Sequence, residues 1–199
     1  MPNTQAQFGF QQFGYMPGGA PDYQLTKYAI QSTYTTAIYF GDPVIKSAAL
    51  GYIRPMTNAT GVGTGLLGVF QGCQYTPVGG APTWYPWYPA AAAGADSVAY
   101  VIDAPNALFR VAALLTAVPA TSIGQNIGHS TGAGGTTVGA GFSSYTLDQS
   151  TLTTNSTLPW QVWSMFPGVG NGTDNSSNYN WVIVRFNNTL RQAGATGVA

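Results

Sequence analysis

This chain contains no glutamate and only two lysines, Lys27 and Lys46, among its 199 residues. Helices in water normally cover their outer face with Glu and Lys, which also supply stabilising i,i+4 pairs. With six Asp and four Arg added, charged residues reach only 6%, against roughly 25% in ordinary globular proteins. Gly, Thr, Ser, Asn, Tyr and Val dominate instead, which is the chemistry of strands and turns. The chain is therefore expected to be all-β, an antiparallel β-sandwich or barrel with long Gly/Thr-rich loops.

Turn signals every 8 to 14 residues divide the sequence into short apolar runs, as in sandwiches and barrels. The run from Leu66 to Tyr75, LLGVFQGCQY, reads as a strand, and Gly68 and Gly72 within it predict a bulge or a close backbone approach. Val98 to Ile102 and Leu108 to Ala112 read as a strand pair around Asp103-Ala104-Pro105-Asn106. Trp160 to Met165 and Trp181 to Asn187 show two-faced alternation. Short β pieces are also expected at Tyr28 to Tyr39, Val44–Ile45, Tyr52–Ile53 and Tyr145 to Leu147. The helical expectation is limited to one turn within Ala112 to Ala117.

Residues 1–23 differ from the rest. Phe8, Phe10, Phe13 and Tyr15 interleave with Gln and Gly, with no period long enough for a core element. This reads as an extended N-terminal arm, with residues 24–199 as a single β-rich domain. The arm's aromatics need a surface to bury on, either the chain's own or a neighbour's. On this reading, deletion of residues 1–20 leaves a folded domain with weaker partner binding.

Several function classes fail on composition. The net charge is zero and no basic stretch exists, so neither nucleic acid nor an anionic membrane surface is an expected partner. The first twelve residues carry no basic or strongly apolar region, so no secretory signal is expected. Gly63, Gly65 and Gly68 match a dinucleotide glycine pattern, but a loop precedes them and a strand follows, the reverse of the required context. Gly128, Ser130 and Gly132 match a hydrolase elbow, yet the following residues are glycine-rich and the single His, His129, is adjacent to the serine. One Cys and one His cannot make a zinc site. Asp42, Asp96, Asp103 and Asp148 stand beside turn residues, where Asp serves the backbone. Cys73 reads as a small buried hydrophobe. Five N-x-[ST] sequons reflect Asn/Ser/Thr richness. No enzymatic activity, cofactor or metal is expected.

Trp84-Tyr85-Pro86-Trp87-Tyr88-Pro89 concentrates aromatics between stiffening prolines. Trp and Tyr dominate interface hot spots. Three readings remain open for Trp84, Tyr85, Trp87 and Tyr88: a protein interface, a lid on the chain's own core, or a carbohydrate-stacking platform.

The order of segments resembles small head proteins of tailed bacteriophages. The segments are GDPVI at 41–45, LGVFQGCQY at 67–75, VAYVIDAPNALFRV at 98–111, IGQNI at 123–127, GFSSYTLD at 141–148 and VIVRFNN at 182–188. The resemblance implies a capsid cement or decoration subunit on the virion exterior, made in the host cytoplasm. Its partners would be the major capsid protein and itself, as a homotrimer, and no catalytic residues come with it. A tail, fibre or receptor-binding component and a self-assembling shell protein are the alternatives.

Overall fold

The computed structural model describes residues 2–6, 8–22, 24–47, 51–57, 65–90, 93, 95–130 and 141–198. The Gly/Thr-rich loops expected over 57–65 and 128–141 fall mostly outside these residues, Gly63 and Gly132 included, while Gly128 and His129 belong to a strand. Among the described residues, twelve strands form two antiparallel sheets packed face to face, a β-sandwich rather than a barrel. The first sheet runs in the order β1 (Gln11–Tyr15), β8 (Ala107–Ala112), β12 (Trp181–Phe186), β11 (Trp160–Met165), β9 (Asn126–His129), β10 (Leu147–Thr153). The second runs β2 (Thr26–Ile30), β7 (Ser97–Ile102), β5 (Leu66–Tyr75), β3 (Pro43–Lys46), β4 (Ile53–Pro55). The short β6 (Thr83–Tyr85) pairs with the far end of β5, on the edge that β3 uses nearer its start.

The inter-sheet core is built around Trp160. Its indole is stacked between Phe10 at 4.2 Å and Phe186 at 5.2 Å, with the edge of Phe109 at 5.8 Å. Val162, Val182 and Val184 from the first sheet and Ile45, Leu66, Val69 and Ile102 from the second complete it. Large side chains of this kind each gain about 1.5–3 kcal/mol on burial.

A second core lies on the opposite face of the second sheet. Ile30, Val44, Leu67, Phe70, Cys73 and Val101 are covered there by Ile38 and Tyr88 from two loops. Ile38 and Tyr88 exchange both backbone hydrogen bonds, at 3.2 and 2.7 Å. The second sheet is thus covered on both faces along much of β5, which explains why LLGVFQGCQY reads as a continuous apolar run instead of alternating. The register shifts between Phe70 and Gly72, and Gly72 takes φ +131°, so the predicted bulge is present.

Four expectations are corrected. First, the N-terminal segment is extended but is part of the domain. β1 pairs with β8, Phe10 and Tyr15 are buried, and the Phe10 amide donates to the Gly41 carbonyl at 3.0 Å. Of the two surfaces left open for the arm's aromatics, Phe10 and Tyr15 take the chain's own, and pairing with β8 gives the segment the strand that its irregular spacing did not announce. Second, β7 and β8 do not pair; Asp103-Ala104-Pro105-Asn106 carries the chain from one sheet to the other. Pro105 and Asn106 make the turn, and Asp103 is held by Thr26, Tyr28 and Arg191 instead of closing a hairpin. Third, the helical turn lies at Ala120–Ser122, as a 3-10 turn after Pro119, while Ala112 ends β8. Fourth, residues Tyr34 to Tyr39 contribute a bridge at Ile38 but no strand.

Replacing Phe10 by Ala is expected to cost about 3–5 kcal/mol, the usual range for an aromatic removed from a core. Phe13→Ala, at a half-exposed site, should stay within about 1 kcal/mol. Chemical denaturation of the two variants checks this, and equal small losses would show that residues 8–15 are not part of the fold's core.

Candidate interaction surface

The outward face of the first sheet gathers two arginines and several aromatic side chains. Strand periodicity places Arg110 on β8 and Trp181 and Arg185 on β12 on that face, opposite Phe109, Val182 and Val184 in the core. Two irregularities add more. The register shift between Gln12 and Gly14 leaves Phe13 as the extra, outward residue, and the shift between Val162 and Ser164 does the same for Trp163. Phe13 is 39% exposed and Trp163 42%.

Arg110 is held in an aromatic cage. Its guanidinium carbon lies 4.7 Å from the Trp181 ring, 4.9 Å from Phe8 and 5.3 Å from Phe166. Nη2 donates to Gln11 Oε1 at 2.5 Å. Burial draws its pKa below the ordinary arginine value. Arg185 is fixed in parallel fashion. Nε donates to Gln161 Oε1 at 2.7 Å, Nη1 meets the Met16 sulfur, and the group lies 5.5 Å from the Trp163 ring. Beneath these side chains Ile183 is fully buried and Leu108 nearly so.

Among the described residues neither guanidinium pairs with a carboxylate; the ion pair is Arg191 with Asp103, at 2.8 Å. The other aspartates are committed elsewhere. Asp22 accepts from the Gln24 amide, Asp96 from Ser32 and Tyr52, Asp148 from Ser150, and Asp174 from Ser176 and Ser177. Those serine donors hold the Asp174 carboxyl down at about 2. A groove of about 400 Å³ beside Asp174, lined also by Pro2, Thr4 and Asn171, is therefore bordered by an acid already satisfied by its own turn.

No family model, curated protein or solved structure matches this chain.

The residues singled out in the sequence are dispersed. Phe8 and Phe13 lie on the arginine-bearing face, whereas Phe10, Tyr15 and Tyr88 are buried in this chain and present no surface to a partner. Trp84, Tyr85 and Trp87 sit at the rim of the second sheet. Trp84 is 57% exposed and rests on Gly72, where a Cβ would come within 2.8 Å of its ring. Tyr85 meets Trp87 edge-on at 5.8 Å, and Trp87 covers Gly141. Arg110, Trp163, Phe166, Trp181 and Arg185 were not foreseen; the alternation in β12 was the one signal that two of them share a face.

The hydrolase-like residues His129 and Ser130 have hydrogen-bond partners within the fold. Nε2–H of His129 donates to the Met56 carbonyl at 3.3 Å, and Nδ1 accepts from the Trp160 indole at 3.1 Å, which fixes a neutral tautomer. Ser130 Oγ accepts from the Thr146 amide and hydroxyl. Gly68, the last glycine of the dinucleotide-like pattern, lies within strand β5. No group of three or more His, Cys, Asp or Glu side chains gathers among the described residues. Burial pushes the Cys73 thiol up to about 12.

Two buried groups titrate in opposite senses. Burial raises Asp42 to about 7, against the pull of the Ser143 hydroxyl and the Tyr39 amide, and lowers His129 to about 4. A raised acid pKa gives stability that is present at low pH and fades as pH rises towards 7. A lowered histidine pKa gives stability that is present above 6.5 and fades as pH falls towards 4. Between pH 4.5 and 6.5 the two slopes oppose, each at most about 1.4 kcal/mol per pH unit. Asp42→Asn removes one of them, so the variant should gain stability steadily as pH rises through this window while the parent changes little. Denaturant midpoints at five pH values check this; a flat profile for the variant refutes it.

Proposed function

We propose that this chain is a structural virion subunit, a cement or decoration protein seated on the outside of a capsid lattice, and that it works by binding protein. The observation that carries this reading is the outward face of the first sheet, where Phe8, Phe13, Trp163, Phe166 and Trp181 surround two guanidiniums without carboxylate partners. Tryptophan and arginine are the side chains most enriched at interface hot spots, and charge-poor cores with polar rims are typical of such contacts. The segment order quoted from the sequence supports the capsid setting. Threefold sites on a lattice suit a homotrimer, with the arginine-bearing face of each copy turned to the major capsid protein. Low surface charge supports the same assignment, since little repulsion opposes close packing of many copies.

Cosedimentation with heads assembled without this subunit tests the reading. The parent should bind at saturable stoichiometry, and Trp163→Ala should weaken binding at least about tenfold, as expected for a hot-spot aromatic. Light scattering should give the mass of a trimer. Heads that leave the parent in the supernatant would refute the assignment.

The exposure of Trp84, with its ring laid on Gly72, favours a second reading as a carbohydrate-stacking module of a tail or fibre. A glycan array read with the parent and with Trp84→Ala separates the two. Under the cement reading neither protein retains any glycan.

A further inference from the structure

The arginine-bearing face has a spacing as well as a charge. Across β8 and β12, Arg110 stands opposite Ile183 and Arg185 opposite Leu108. The two arginines are therefore diagonal neighbours two residue positions apart, with Cα atoms about 7–8 Å from each other. An extended chain places same-face side chains about 6.5–7 Å apart, two residues along. Each guanidinium is already oriented, Arg110 by Gln11 and three rings and Arg185 by Gln161, Met16 and Trp163, so little side-chain freedom remains to be lost on binding. Among the described residues their remaining N–H donors have no protein acceptor.

We propose that this face binds an extended acidic segment of a neighbouring protein, with carboxylates at alternate positions received by Arg110 and Arg185. The intervening ligand side chain points away from the sheet, and apolar residues flanking the acidic pair pack on Phe13 and Trp163. Planar guanidinium forks match carboxylates in bidentate fashion. Phosphate-bearing nucleic acid is the poorer fit, because Lys27, Lys46 and Arg54 belong to strands of the other sheet and Arg191 is paired with Asp103, which leaves Arg110 and Arg185 as the cations of this face. The inference rests on the reading of the chain as a protein-binding subunit and names the chemistry of its partner.

The test titrates the full-length protein with capped octapeptides, followed by tryptophan fluorescence, since Trp163 and Trp181 adjoin the guanidiniums. One peptide carries Asp at two alternate positions among Val and Thr, a second carries the same residues with the Asp adjacent, and a third has Asn for Asp. Oligothymidine is the phosphate control. The alternate peptide should bind, weaken with added salt, and exceed the other two by at least about tenfold. Arg185→Gln and Arg110→Gln should each lose most of that binding, and Arg185→Lys should recover only part of it, because ammonium lacks the fork. Matching circular dichroism and denaturation midpoints confirm that the variants fold; if Arg110→Gln does not, the Arg185 pair decides. Equal binding of the three peptides, no binding, or preference for oligothymidine overturns the proposal. Peptide binding without capsid binding would refute the capsid assignment alone, whereas undiminished capsid binding by the glutamine variants would refute the assignment of this face alone.

Discussion

The stack of Phe10, Trp160 and Phe186 is the contact on which the rest of the molecule depends. It joins the N-terminal segment to two central strands of the first sheet and fills the space between the sheets. The Trp160 indole also needs a hydrogen-bond partner, because a buried donor left unmet costs about 1–3 kcal/mol. His129 supplies it and donates its own Nε2–H to the Met56 carbonyl beside β4 of the second sheet. One polar relay inside an apolar core thus fixes the neutral state of the only histidine and ties the two layers together.

The scarcity of charge has a consequence for the surface. Five of the six aspartates bind backbone amides or neutral side-chain donors, and the sixth forms the ion pair with Arg191. The remaining arginines of the first sheet are left to aromatic rings. A guanidinium between rings is held in place and keeps its charge, which is the basis for the proposed carboxylate ligand of this face.

The segmentation into strands was largely legible. The bounds of β5 and β11 follow directly from the apolar runs, and Gly72 declared its bulge because a strand interior has few other uses for glycine. The aromatic loop was ambiguous for a physical reason. Tyr88 and Trp84 are four residues apart in one Pro-rich stretch, yet one plugs the second core and the other lies on the surface. Irregular backbone has no period from which a facing direction can be read.

What the amino-acid sequence determined by itself was the class of structure: too few Glu and Lys to cover helices, and enough β-branched and aromatic runs between turns to make many short strands. A period of two announces that a strand has two faces, but not which face turns inward, nor which distant strand lies beside it. Those choices were made by tertiary packing. Phe10 went into the core against Trp160 while Phe13, of the same segment, went outward as the extra residue of the irregularity in β1, a placement set by pairing with β8. Arg110 and Arg185, far apart along the chain, became neighbours only because β8 and β12 pair.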